Sequence, residues 1–147
     1  MEINFTKEEY RTLINALYLA NWLISAYDTE EKPETKRYAK LEQKILSLAK
    51  DFGQEKLVEY DDKLKMYFHT KKVEDNLIEN FISPYDNNTF WEELIDRLAK
   101  RDLFEDYEEK AIENMTGEEI FNLLSNYEEK YSLELEKNGI ENLKIMK

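Results

Sequence analysis

The chain has 147 residues, with 33 acidic side chains, 21 basic ones, one histidine, no cysteine and three glycines. This inventory excludes a disulfide framework, a thiol site, a glycine-rich phosphate loop and a histidine-rich metal centre, because each needs residues that are missing here. The formal net charge of −12 disfavours direct binding to nucleic acid or anionic lipid, since lysine and arginine supply most of that affinity.

Two helices are predicted in the first third of the chain. Thr6 and Glu9 have capping-box spacing, and apolar side chains then recur at helical intervals, which predicts a helix over Lys7–Tyr27. The second predicted helix covers Glu34–Phe52 and follows a polar, proline-containing loop. Gly53 stands where a left-handed C-terminal cap needs glycine.

The middle of the chain is predicted to hold a small β-hairpin near residues 57–68, because two short apolar runs flank a polar turn. A helical turn is the alternative. A hairpin of this size is marginal alone, so part of it should lie on the helices, through Val58, Tyr60, Met66 and Phe68. The next helix is expected to stop near Ser83, since Pro84 disfavours helix at the residue before it, and a turn is predicted at 85–88.

The C-terminal half is predicted to be helical. Thr89 and Glu92 repeat the capping pattern and predict a helix that continues to Ile112, with a break near Asp102. A third capping pattern, which begins at Thr116, opens the last helix. That helix should end at Gly139.

The predicted fold class is therefore all-α, with about five to six helices and at most one small hairpin. Residues 1–147 are predicted to form a single compact domain. Both a helix bundle and an irregular orthogonal array of helices fit the pattern. Two leucines stand at the centres of the strongest apolar faces and are expected to be buried: Leu17 and Leu94.

Composition also predicts the compartment. A hydrophobic fraction of 41% is too high for a disordered acidic chain. The amino terminus has no basic segment followed by an apolar run, as a signal peptide would, and no stretch reaches the ~20 apolar residues that span a bilayer. A cytoplasmic protein without a membrane segment is expected.

The acidic excess is concentrated toward the C-terminus. Residues 1–53 hold 8 basic and 9 acidic side chains, whereas residues 101–147 hold 6 and 13. Carboxylates steer the encounter with a basic protein, and aromatic side chains supply contact area. The predicted partner-binding residues are Phe104, Glu105, Asp106, Tyr107, Glu108 and Glu109. One form of this hypothesis is imitation of nucleic-acid charge; the plainer interpretation is a solvated face that keeps the protein soluble.

A basic stripe on the second helix provides a further surface, formed by Lys36, Arg37, Lys40 and Lys44. Such a stripe suits an acidic partner, including a second copy of the chain, so a homo-oligomer is left open. An exposed helix face that simply carries charge is the ordinary alternative.

A second function class is a small helical enzyme or a divalent-metal-binding protein. Glu92 and Asp96 lie four residues apart, so that two carboxylates share a face of the predicted 89–102 helix. The neighbouring members of this alternative site are Trp91, Arg97 and Arg101. The chain has no Glu-x-x-His motif, which bundle metal sites often add, and surface ion pairs are the favoured interpretation.

His69 is the only imidazole in the chain, so any mechanism with a histidine base or ligand has to use it. No serine nucleophile motif accompanies it, and a polar loop residue is the favoured interpretation. Accordingly no catalytic residue, metal or cofactor is predicted, and a non-enzymatic interaction module is the favoured function.

Overall fold

The computed structural model describes residues 3–30 and 32–144. These residues form helices α1 Lys7–Ser25, α2 Pro33–Leu46, α3 Lys71–Leu77, α4 Ser83–Asp106, α5 Glu109–Glu113 and α6 Gly117–Asn138. The remaining elements are a 3-10 helix Glu55–Leu57, strands β1 Val58–Asp61 and β2 Met66–His69, and a π-helical turn Ile78–Ile82. The prediction of a mainly helical fold with one small hairpin is confirmed.

The chain divides into two compact units, Met1–Pro84 and Tyr85–Lys147. Unit 1 contains the hairpin, and the described part of unit 2, residues 85–144, consists of helices and the turns between them. The single domain over residues 1–147 stays a prediction.

Two of the three predicted capping boxes form. The Glu9 amide donates to the Thr6 hydroxyl oxygen at 3.2 Å, and the Glu9 carboxylate accepts from the Thr6 amide at 2.8 Å. Thr116 and Glu119 repeat both distances at the start of α6. Each box joins residues only three apart, so it can be predicted from sequence spacing where a helix begins at that position.

The third capping box does not form, and the predictions around Pro84 are wrong. Thr89 lies inside α4, and the predicted turn at 85–88 is helical. The backbone passes Pro84 through the π-helical turn, in which the Ser83 amide donates to the Ile78 carbonyl, five residues earlier. Proline lacks an amide proton and its ring clashes with the carbonyl four residues back. The wider turn accommodates that ring because its hydrogen bonds reach one residue further.

Several helix ends also differ from the predictions. α1 ends at Ser25, α2 ends at Leu46, and α4 continues through Asp102 to end at Asp106. Glycine behaves as predicted at the end of α6, where Gly139 has a φ of +55° and its amide donates to a carbonyl in the last turn. A side chain at that φ would be strained.

Gly53 caps the turns that follow α2. Its φ is +62°, its amide donates to the Lys50 carbonyl at 3.0 Å, and the Gln54 amide donates to the Ala49 carbonyl at 2.8 Å. These two bonds with a left-handed glycine constitute a Schellman motif. The predicted cap is therefore confirmed, although the helix before it is shorter than expected.

The register of the hairpin determines which side chains lie on each of its two faces. Val58 pairs with His69, and Tyr60 pairs with Tyr67; Val58 and Tyr67 pack against the core of unit 1. Met66 and Phe68 lie on the opposite face and are exposed, so their predicted contact with the helices is wrong. Alternate side chains of a strand point to opposite faces, and the register decides which set of β2 faces inward.

The core of unit 1 is centred on Tyr10, Ile14, Leu46 and Ala49. The Tyr10 ring stacks on Phe52 with centroids 4.3 Å apart. Its hydroxyl donates to a backbone carbonyl of α2 at 2.6 Å. This contact satisfies the one polar atom that the buried ring brings into the core.

Leu17 and Leu94 are only partly buried, so the prediction that both lie in the core is wrong. In α1 the buried positions are nearer the N-terminus, at Tyr10 and Ile14. In α4 they are nearer the C-terminus, and Ala99 is completely buried. Periodicity identifies the apolar face of a helix, whereas the neighbouring elements decide which part of it is covered.

Candidate functional site

The predicted partner-binding residues form one exposed stretch at the junction of α4 and α5, here called the acidic segment (Phe104–Glu109). Phe104 is 62% exposed and Tyr107 is half-buried. Four exposed carboxylates accompany them, those of Glu105, Asp106, Glu108 and Glu109. A large apolar side chain thus lies in solvent beside acidic groups.

A hydrogen bond from α6 fixes the end of α4 beneath this segment. The Tyr127 hydroxyl donates to an Asp106 carboxylate oxygen at 2.5 Å. The same bond, with smaller contributions from burial and nearby charges, raises the pKa of Tyr127 to about 12. Tyr127 therefore remains a donor throughout the neutral range and holds Asp106 in place.

One turn earlier, Asp102 accepts hydrogen bonds from three side chains. Arg101 donates through Nη2 at 2.6 Å, Lys130 donates through Nζ at 3.2 Å, and the Tyr131 hydroxyl donates as well. Burial alone would raise the pKa of Asp102. The hydrogen bonds from Tyr131, Arg101 and Lys130 outweigh that effect and hold the pKa at about 2.

Asp102 and Asp106 thus form a two-step ladder with Tyr131 and Tyr127 that joins α4 to α6. Sequence reasoning did not predict it. The signal was present, since both the two aspartates and the two tyrosines lie four residues apart, which places each pair on one helix face. Antiparallel helices then bring the first aspartate to the second tyrosine.

The charges of the acidic segment are only partly compensated. Glu105 lies 4.0 Å from the Arg101 guanidinium, a marginal distance for an exposed ion pair. Glu108 and Glu109 have no ion pair with any residue that the structure describes. Their charge is available for long-range attraction of a cation.

The alternative site residues lie along α4 and are mostly paired within the helix. Asp96 binds Lys100 at 2.7 Å, Arg97 binds Glu93 at 3.1 Å, and Arg101 binds Asp102. The described residues contain no group of three or more His, Asp or Glu side chains arranged to hold a metal ion. The two exposed pairs with four-residue spacing, Asp96–Lys100 and Glu93–Arg97, contribute about 0.3–0.5 kcal/mol each.

Trp91, the aromatic member of that alternative site, lines a cleft of about 530 Å³ between α4 and α6. The other lining residues are Ile95, Ser132, Leu135, Glu136 and Gly139. The Trp91 indole donates to the Asn87 side chain at 3.3 Å, so its polar edge is satisfied within α4. Glu92 is exposed and Asp96 half-buried, and neither carboxylate lines this cleft.

His69 is not a polar loop residue, and that interpretation is wrong. It is the last residue of β2, 5% exposed, and the Tyr18 ring packs edge-on against it with centroids 5.1 Å apart. Burial lowers the pKa of His69, and a hydrogen bond with the Ile14 backbone opposes this shift. The burial of His69 could not be predicted from its neighbours in the sequence, because the residues that cover it belong to α1, about fifty positions earlier.

No family model, no curated protein and no solved structure matches the chain. Within residues 3–30 and 32–144, no helix has both the length and the apolar character needed to cross a bilayer.

Proposed function

We propose that the protein is a small acidic interaction module that docks a basic protein on the acidic segment. The observation that carries this proposal is the 62% exposure of Phe104 beside the carboxylates of Glu105, Glu108 and Glu109. Aromatic side chains, including phenylalanine, are enriched in protein interfaces, and the rim around the buried part is polar.

The two kinds of side chain have separate roles. Exposed carboxylates accelerate encounter with a positively charged surface, because Coulomb attraction acts before contact. Phe104 supplies affinity once contact is made, because burying its ring removes apolar surface from water. This burial stabilises the complex by roughly 25 cal/mol for each Å² of apolar surface. The complementary partner surface is an apolar pocket with lysine and arginine around it.

The ladder beneath the segment supports this role by limiting the cost of binding. Tyr127 holds Asp106, and Asp102 holds Tyr131, Arg101 and Lys130. A surface that is already ordered loses less conformational entropy when its partner binds. We place this encounter in the cytosol, in keeping with a cysteine-free chain.

The test is a comparative capture of partners from the native host. The tagged full chain is compared with Phe104→Ala and with the triple variant Glu105→Gln, Glu108→Gln and Glu109→Gln. Asp106 is left unchanged because it accepts the bond from Tyr127. The matched controls are Phe121→Ala, whose ring is 68% exposed on α6, and the triple variant Glu55→Gln, Asp62→Asn and Glu79→Gln.

Quantitative mass spectrometry at low and raised salt reads the outcome. The proposal expects a basic protein whose recovery falls with Phe104→Ala, with the acidic-segment triple and with salt, while both controls retain it. Captured proteins that respond equally to test and control variants would show that the acidic segment is only a solvated face.

A further inference from the structure

A second surface feature lies in unit 1 and has the opposite charge. It is a cleft of about 330 Å³ between α1, the 3-10 helix and α3. Three cationic side chains line it, one from each element: Arg11, Lys56 and Lys72. No carboxylate belongs to its described lining, although the chain as a whole carries a net charge of −12.

The three cations are not used in ion pairs. Arg11, Lys56 and Lys72 each lack an acidic partner among the residues that the structure describes. By contrast, Lys100, Arg97 and Arg101 on α4 all bind carboxylates. Because acidic side chains outnumber basic ones, three unpaired cations around one cleft indicate a binding place for an external anion.

Neutral hydrogen-bonding groups in the same cleft are also unsatisfied. The Asn15 amide has no partner in the described part of the chain, and its Oδ1 is buried. Thr70 precedes α3 without making a side-chain capping bond. A buried amide without a partner is costly. Asn15 and Thr70 both belong to the cleft lining, so the Asn15 NH₂ group and the Thr70 hydroxyl can donate to a ligand that carries several oxygen atoms.

We infer that this cleft binds a phosphate group, either as free inorganic phosphate or on a small organic molecule. A tetrahedral oxyanion accepts hydrogen bonds from arginine, lysine, hydroxyl and amide donors at once, and charge-assisted bonds of this kind are the strong ones. The cleft volume of 330 Å³ falls at the lower end of the range for small-ligand sites.

The overall negative charge does not prevent this. At physiological ionic strength exposed charges are largely screened beyond about 8 Å, so the net charge of the whole chain contributes little to the potential inside one cleft. The cations that line the cleft contact the ligand directly and dominate its local potential.

The experiment is an NMR titration of the full chain with inorganic phosphate and, separately, with phenyl phosphate. Sodium chloride keeps the ionic strength constant, and acetate serves as the comparison anion. Backbone amide shifts of Lys56, Thr70 and Lys72 report on the cleft. Saturable shifts with inorganic phosphate indicate a free anion, whereas saturation with phenyl phosphate alone indicates a phosphorylated organic ligand; either result supports the site.

Two test variants and one control make the result specific. Arg11→Gln, Lys56→Gln and Lys72→Gln are combined in one variant, and Asn15→Asp adds a carboxylate of equal size to the cleft. The control combines Lys40→Gln, Lys44→Gln and Lys50→Gln, which changes the net charge by the same amount as the triple cleft variant. Each test variant should weaken binding by at least about tenfold, while the control binds as the parent chain does.

Three results would overturn the inference. They are shifts that stay linear with both phosphate probes, equal weakening in the control and cleft variants, and saturable binding of acetate as tight as that of phosphate. Circular dichroism verifies that the variants remain folded, which is expected because the three substituted cations are exposed.

Discussion

Gln43 and Tyr67 exchange two hydrogen bonds, in which a side-chain amide pairs with a strand peptide. Gln43 Nε2 donates to the Tyr67 carbonyl and Gln43 Oε1 accepts from the Tyr67 amide, both at 2.8 Å. The Gln43 side chain thereby supplies β2 with the contacts of a neighbouring strand. This pair joins the hairpin to α2. A two-stranded ribbon needs such a connection because it is only marginally stable alone.

Replacing Gln43 by alanine should lower the free energy of unfolding of unit 1 by about 1–3 kcal/mol, because part-buried peptide groups of Tyr67 lose their partners. Gln43→Glu retains the acceptor but places a carboxylate oxygen against the Tyr67 carbonyl in place of the Nε2 donor, so it should lose at least as much. Urea unfolding in a Trp91→Phe background reads unit 1 through Trp22. The neighbouring exposed Lys44→Ala is the control and should stay within about 0.5 kcal/mol of the parent; an equal loss there would contradict the pairing.

Leu46→Ala should cost about 2–5 kcal/mol, since its side chain is 1% exposed and its removal leaves a cavity. Leu17→Ala should cost clearly less, because that side chain is only partly buried. The same tryptophan readout compares the two variants. If Leu17→Ala lowers the free energy of unfolding more than Leu46→Ala does, then Leu17 lies in the core and its partial burial is wrongly assigned.

His69 should make unit 1 less stable in mild acid. Burial lowers the folded-state pKa of His69 below its usual value near 6.5, so below that pH the unfolded chain binds more protons than the folded one. The contribution of His69 to the free energy of unfolding is therefore fully present above the pKa that this imidazole has in the unfolded chain. It falls as the pH decreases below that value, by at most about 1.4 kcal/mol per pH unit.

The measurement for His69 is urea unfolding between neutral pH and mild acid, with His69→Phe as the comparison. Glu42 and Glu74 have raised pKa values, mainly through burial, so their effect on stability as the pH falls is opposite to that of His69. Both carboxyl groups are present in the parent and in His69→Phe, so their effect cancels when the two unfolding free energies are subtracted. A pH dependence that survives unchanged in His69→Phe would assign the effect to another group.

Asp102→Ala should lower the free energy of unfolding of unit 2 by about 1–3 kcal/mol, since it removes the acceptor shared by Arg101, Lys130 and Tyr131. A double-mutant cycle with Tyr131→Phe should give a coupling energy of about 0.5–3 kcal/mol. Trp91 fluorescence in a Trp22→Phe background follows unit 2. The control is Glu92→Ala, an exposed change on the same helix, which should have little effect on stability. If the stability losses of Asp102→Ala and Tyr131→Phe simply add in the double variant, the two residues are not coupled.

For the proposed docking surface, the two kinds of residue should affect different rates. The Glu105→Gln, Glu108→Gln and Glu109→Gln triple should slow association and reduce its salt dependence, because exposed charges act on the encounter. Phe104→Ala should mainly accelerate dissociation. Surface-binding kinetics with the captured partner separate the two rates. Identical association rates for the triple and the parent at low salt would contradict electrostatic steering.

Local sequence spacing was sufficient at the helix ends where the interacting groups lie within one turn of each other and the helix begins or stops at that turn. The capping boxes at Thr6 and Thr116 and the positive φ of Gly53 and Gly139 follow from residues a few positions apart. The mainly helical fold and the small hairpin follow from apolar periodicity. For the same reason the acidic segment is recognisable as a contiguous run of the amino-acid sequence.

The course of the backbone before each segment and the contacts between distant elements decided the rest. The Thr89 pattern has capping spacing, but the helix had already begun upstream and passes Pro84 through a π-helical turn, so no free helix end remains to be capped. The inward face of β2 depends on a register that alternation in one strand does not specify. His69 became a core residue through packing on Tyr18.

The two candidate surfaces show the same division between local and tertiary information. Residues 104–109 are adjacent in the chain, so their acidic character needs no folding to be recognised. Arg11, Lys56 and Lys72 are separated by long stretches, and each taken alone is an ordinary exposed cation. Only the packing of α1 and α3 around the 3-10 helix brings them to one cleft, because tertiary contacts, unlike helical spacing, join residues without regard to their separation in sequence.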